Sequence, residues 1–161
     1  MHEQNELYAS KIFFNAALPL LKVIATDVPS LKAKFDKLTT VLQVSALDPE
    51  AEGGKYATHF IITEGEWETK LNAAHEAPDV ELEFKSIEAM NAFFKGKIGP
   101  KTLPKMKGVV KNFSAFTAML MTLLKLSDLT GATQPPKDEE TKTLMVKCFF
   151  YLLSSGISQL N

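Results

Sequence analysis

Pro78-Asp79-Val80-Glu81-Leu82-Glu83-Phe84-Lys85 is the stretch on which the fold turns. Val80, Leu82 and Phe84 alternate with Glu81, Glu83 and Lys85, the period of two that a half-buried strand presents and an amphipathic helix does not. The pattern predicts a strand with its apolar side chains on a core and both glutamates in water. Ser86, followed by Glu88, Ala89 and Met90, then opens a short helix ending in Phe93-Phe94-Lys95-Gly96-Lys97. A lysine-bearing loop leads to a second strand predicted over Met106-Lys107-Gly108-Val109-Val110-Lys111. That strand feeds an apolar helix over 113–126.

Upstream of this stretch the chain also reads as strands. Residues 38–47 are β-rich and stop at the polar connection Asp48-Pro49-Glu50-Ala51-Glu52-Gly53-Gly54. Tyr56 to Thr63 follows as a strand. A tight Glu64-Gly65 turn joins it to Glu66-Trp67-Glu68-Thr69-Lys70-Leu71, whose alternation places Trp67, Thr69 and Leu71 on one face. Residues 3–26 repeat apolar side chains at helical spacing, with Pro19 expected to bend or split the helix because it lacks a backbone donor. Residues 31–37 add one or two helical turns capped by Ser30. Beyond Gln134-Pro135-Pro136-Lys137, an extended linker, Leu144, Phe149, Leu152 and Leu153 mark an amphipathic helix over 138–158.

At 161 residues the chain suits one domain, 1–161, whose 45% hydrophobic and 23% charged residues are ordinary for a soluble globular protein. A single cysteine, Cys148, rules out an internal disulfide and reads as a buried, inert thiol. No secretory leader is recognised and the uncharged run Asn112 to Leu124 is too short to span a bilayer, so a cytoplasmic location is expected. The net charge of -1 hides a polarity: residues 48–88 hold eleven acids and three lysines, whereas residues 89–127 hold seven lysines and no acid. All eighteen basic residues are lysine. Without arginine, the usual bidentate reader of phosphate and guanine, no nucleic-acid partner is expected.

The order of these pieces resembles the sterol carrier protein 2 (SCP2) family, in a bacterial-type form with helices added at both ends. The pieces are Ala57 to Thr63, a turn, Trp67 to Leu71, Ala77-Pro78-Asp79-Val80 with its alternation, Phe93-Phe94-Lys95-Gly96-Lys97, and Met106-Lys107-Gly108-Val109. The resemblance covers about residues 31–126, leaving an N-terminal helical extension at 3–26 and the C-terminal helix at 138–158. It implies an α+β, SCP2-like fold: a five-stranded, largely antiparallel sheet covered by helices on one face. It also implies non-catalytic binding or transfer of a lipid-like apolar ligand, such as a fatty acid, acyl-CoA or a sterol-like molecule, in an internal hydrophobic tunnel.

The residues allow that function without naming the ligand. The helix from Phe113 is apolar almost all round, so one face packs on the sheet while another covers something else. A ligand tunnel and a plain core are both open readings. The tunnel walls assigned here are Trp67, Phe84, Phe94, Met106, Phe116, Met119 and Leu123. Lys95, Lys97, Lys101 and Lys105 are assigned to an anionic headgroup or an anionic membrane surface, against a locally compensated, solvated face involving Glu81, Glu83 and Glu88. The carboxylates at Glu64, Glu66 and Glu68 and at Glu81 and Glu83 fall on outer strand faces, where they make poor general acids. His2, His59 and His75 are far apart in sequence and match no metal motif, and no phosphate-binding or nucleophile motif is present, so neither an enzyme nor a cofactor or metal is expected. The alternative reading is a protein–protein interaction or accessory module with no lipid, including a homodimer through the terminal helices.

Overall fold

A computed structural model describes residues 16–130; the readings at 3–15, the linker at 134–137, the helix at 138–158 and Cys148 lie outside the described residues. Pro19 sits at the N-cap of the first described helix, α1 (Leu20–Asp27), so the helical segment predicted over 3–26 begins anew after the proline. The next helix, α2 (Pro29–Phe35), starts with its proline in the first turn, where the missing N–H costs nothing, and Ser30 is therefore not the cap.

β1 (Thr39–Leu47), β2 (Lys55–Thr63) and β3 (Glu66–Lys70) form an antiparallel meander. Glu64 and Gly65 have φ of 48° and 86°, the positive pair that a two-residue hairpin of matching twist requires. Residues 71–79 then cross back so that β4 (Val80–Phe84) lies parallel to β1, with Leu42 opposite Val80 and Ala46 opposite Phe84. After α3 (Ile87–Phe94), β5 (Lys105–Lys107) pairs antiparallel with β4. The sheet order is β3-β2-β1-β4-β5, with three antiparallel pairs and one parallel pair. The α+β class and the five-stranded, largely antiparallel sheet agree with the sequence reading.

The final described helix is α4 (Phe113–Thr130). Ser86 caps α3 through a 3.0 Å hydrogen bond accepted from Ala89 N, as its position predicts. Leu42, Val44, Phe60, Ile62, Val80, Leu82 and Phe84 form the buried face of the sheet, and one apolar core joins them to Leu21 and Ile24 of α1, Phe35 of α2, Met90 of α3 and Leu123 of α4. Burial of this face keeps the strand register, since a one-residue slip would exchange it with the polar face.

The predicted fifth strand is shorter than expected. It ends at Lys107 because Gly108 adopts φ 81° and packs against the Asp79 backbone carbonyl, which turns the chain away from the sheet. Asn112 closes that turn, its N donating to Gly108 O at 3.1 Å and its Nδ2 to Asp79 O at 3.0 Å. Asp79 is pinned in turn, its carboxylate accepting from Val41 N at 2.7 Å. Two of the pieces quoted for the family resemblance, the aspartate before β4 and the glycine after β5, thus meet in space.

Candidate functional site

Six of the seven wall residues belong to the apolar core on the helix-covered side of the sheet, and three of them, Trp67, Phe84 and Phe94, fall into two aromatic groups. Trp67 lies edge-on to Phe35 at 4.9 Å and to Phe60 at 5.5 Å. Phe84 meets Phe93 at 5.4 Å and Phe94 at 6.0 Å. β3 and β4 are three strand positions apart, about 14 Å at the usual spacing, so Trp67 and Phe84 mark opposite ends of the layer. Phe116, Met119 and Leu123 recur along the inward face of α4 above the sheet and belong to the same buried core. Met106 stands apart: it sits on the edge strand and is 37% exposed.

One buried polar atom beside this layer, Trp67 Nε1, is left without a hydrogen-bond partner among the described residues. A buried donor without an acceptor is uncommon and costly, about 1–3 kcal/mol, which makes it the most informative single atom of the layer.

The opposite face of the sheet overturns one sequence expectation. Neither glutamate stands in water: Glu81 is 5% exposed, and the Glu83 side chain is only 11% exposed. The alternation placed Glu81 on the correct face, but neighbouring strands close over it. Gln43 and Ser45 of β1 donate to Glu81 Oε2 at 2.7 and 2.6 Å, and Lys55 Nζ of β2 reaches across β1 to the same oxygen at 2.8 Å. Lys107 Nζ of β5 lies 3.7 Å from Glu81 Oε1 and donates to Glu83 Oε2 at 2.9 Å. The crossing segment 71–79 lies over the network: His75 N donates to Gln43 Oε1 at 2.7 Å, and His59 Nδ1–H donates to Ala73 O at 2.6 Å.

Burial alone would raise the Glu81 carboxyl, but the hydrogen bonds from Lys55, Ser45 and Gln43, together with the Lys55 charge, hold it below the ordinary glutamate range. Its hydrogen bond to Glu83 raises the Lys107 ammonium above the ordinary lysine range, against burial and with help from both carboxylates. An anion kept ionised and saturated by donors ties four strands together and is a poor proton acceptor. Two of the three glutamates expected to compensate the loop lysines, Glu81 and Glu83, are thus taken by Lys55 and Lys107 instead. Gln43, Ser45, Lys55 and His75 escaped the sequence reading; the polar alternation of Gln43 and Ser45 within a β-branched stretch was the available signal.

Lys95, Lys97, Lys101 and Lys105 are exposed and make no ion pair among the described residues. Lys97 and Lys101 border an open cleft of about 500 Å³ formed by residues 96–102. Among the described residues, no three His, Cys, Asp or Glu side chains are grouped to hold a metal ion, and no helix is long and apolar enough to cross a membrane.

No family model and no curated protein matches the chain. A solved structure does: the solution structure of a conserved hypothetical protein from Thermus thermophilus, described as a possible sterol carrier protein, with a TM-score of 0.50 and 14% identity over 78% of this chain and 90% of the other. The two chains share a fold. At that identity the likeness is one of architecture, and it agrees with the SCP2-like arrangement expected from the order of elements.

Proposed function

We propose that this protein is a non-catalytic carrier that shelters a lipid-like molecule between the sheet and its helical cover. The observation that carries the reading is the buried Trp67 Nε1, unpaired among the described residues, at the edge of the apolar core. A ligand with an apolar body and one hydrogen-bond acceptor, such as a fatty acid, an acyl-CoA or a sterol, would satisfy that donor, and each buried methylene would contribute about 0.8 kcal/mol. The shared fold with a possible sterol carrier supports the same reading. Met119 beside Phe116 supplies a surface that adapts to several apolar shapes.

The test is organic extraction and native mass spectrometry of the purified protein, followed by calorimetric titration with a long-chain fatty acid. A saturable, micromolar or tighter interaction is expected. Trp67→Phe, which keeps the ring but removes the donor, should weaken it about tenfold, the equivalent of one net hydrogen bond. An empty extract together with a flat titration overturns the carrier reading. The interaction-module reading has one observation behind it, the exposed Met121 and Leu124 on the outer stripe of α4. It predicts self-association or partner binding that Met121→Asp with Leu124→Asp abolishes without effect on fatty-acid titration.

A further inference from the structure

We propose that the β5 edge of the sheet docks this protein onto an anionic lipid surface. The strand order puts β5 at the edge, so the chain from Lys95 to Phe113 runs along one flank of the molecule. That flank exposes apolar side chains that a soluble surface ordinarily avoids: Ile98 is 48% exposed, Phe113 63% and Val110 96%. Leu103 and Met106 add to them. The cause is local. The Gly108 turn ends the strand early and throws Val110 outward, and the loop before β5 is held rigid by Thr102, whose Oγ1 donates to Lys97 O at 2.6 Å and accepts from Gly99 N at 2.9 Å.

Lysines alternate with these apolar residues. Lys97, Lys101, Lys105 and Lys111 are exposed and form no ion pair among the described residues, because the nearby carboxylates of Glu81 and Glu83 are already engaged by Lys55 and Lys107. With no acid between Ala89 and Ser127, this flank carries uncompensated positive charge.

The combination favours a lipid surface over other anionic partners. Lysine stems lie along apolar surface while their ammonium groups stay at the level of the phosphates, and the intervening Ile98, Val110 and Phe113 reach the acyl boundary. A plane of headgroups needs only point charges, which is what a chain without arginine offers. A nucleic acid or an acidic protein would use the lysines and leave the apolar residues idle. The proposal does not rest on ligand carriage.

The full chain is tested by co-sedimentation with vesicles of phosphatidylcholine alone and of equimolar phosphatidylserine and phosphatidylcholine. Binding to the mixed vesicles at low ionic strength is expected, at least tenfold weaker on phosphatidylcholine alone, and falling as salt is added. The triple change Lys97→Ala, Lys101→Ala, Lys111→Ala should reduce it at least tenfold. Val110→Ser with Phe113→Ser should do the same while leaving the circular dichroism spectrum unchanged, since both side chains are exposed. Absence of binding to the mixed vesicles overturns the proposal. So does a result in which heparin or polyglutamate binds as well as the vesicles and the serine pair has no effect, the signature of an acidic macromolecule as partner.

Discussion

Replacing Glu81 with alanine should destabilise the protein by about 2–4 kcal/mol at neutral pH. Gln43 and Ser45, both fully buried, lose their common acceptor, and each buried donor left unpaired costs about 1–3 kcal/mol. Lys55 and Lys107 add less, because their side chains are 25% and 42% exposed and can turn to water. Glu81→Gln keeps the shape and one acceptor oxygen but removes the charge, so about 1–2 kcal/mol is expected. The pH dependence follows from the depressed carboxyl. A glutamate held below its ordinary value of 4.5 contributes stability that is present above that value and is lost as pH falls through the lower folded value. Urea unfolding of the natural chain, Glu81→Ala and Glu81→Gln, run from neutral pH down into the acid range, measures both quantities. The gap between the natural chain and Glu81→Gln should narrow below the ordinary value. A cost under about 1 kcal/mol for the alanine variant, or a gap independent of pH, would refute a buried, charge-compensated carboxylate.

Gly108→Ala should be markedly worse than Gly96→Ala: both positions have positive φ, costing about 1–2 kcal/mol, but a β-carbon at 108 also collides with the Asp79 carbonyl, adding about 1–3 kcal/mol, whereas nothing lies within 4 Å at 96. Equal effects in chemical denaturation would deny the close approach. Leu123→Ala, at a fully buried position on the inward face of α4, should cost about 2–5 kcal/mol with an unchanged denaturant slope, and a loss below about 1 kcal/mol would mean that α4 does not close the core as described.

The candidate site was legible in part. Burial of Trp67, Phe84, Phe94, Phe116, Met119 and Leu123 in the core could be read from spacing because a core-facing side chain follows the period of its element. The separation of Trp67 from Phe84 and Phe94 could not, since it depends on β3 and β4 being separated by β2 and β1. Met106 shows the same limit: its alternation gives a face, but at an edge strand the face is only half covered. For the lysines, expected proximity in space suggested Glu81, Glu83 and Glu88 as partners, and the sheet gave Glu81 and Glu83 to Lys55, drawn from a strand 26 positions before Glu81, and to Lys107.

Local chemistry, readable without coordinates, determined the strand at Val80–Phe84, the Ser86 cap, the Glu64-Gly65 hairpin and the break at Pro19, because each depends on side chains within a few residues of one another. Tertiary structure alone decided whether each outward face is wet. Glu81 alternates as a solvent-facing residue and is nevertheless buried, since β1, β2 and β5 bring Gln43, Ser45, Lys55 and Lys107 around it and segment 71–79 folds across Gln43. The end of β5 is the same case: Val109 and Val110 have strand propensity, yet Gly108 against the Asp79 carbonyl leaves no room for the strand to continue. Periodicity assigns a side chain to a face; what occupies the space beyond that face depends on strand order and on segments distant in sequence.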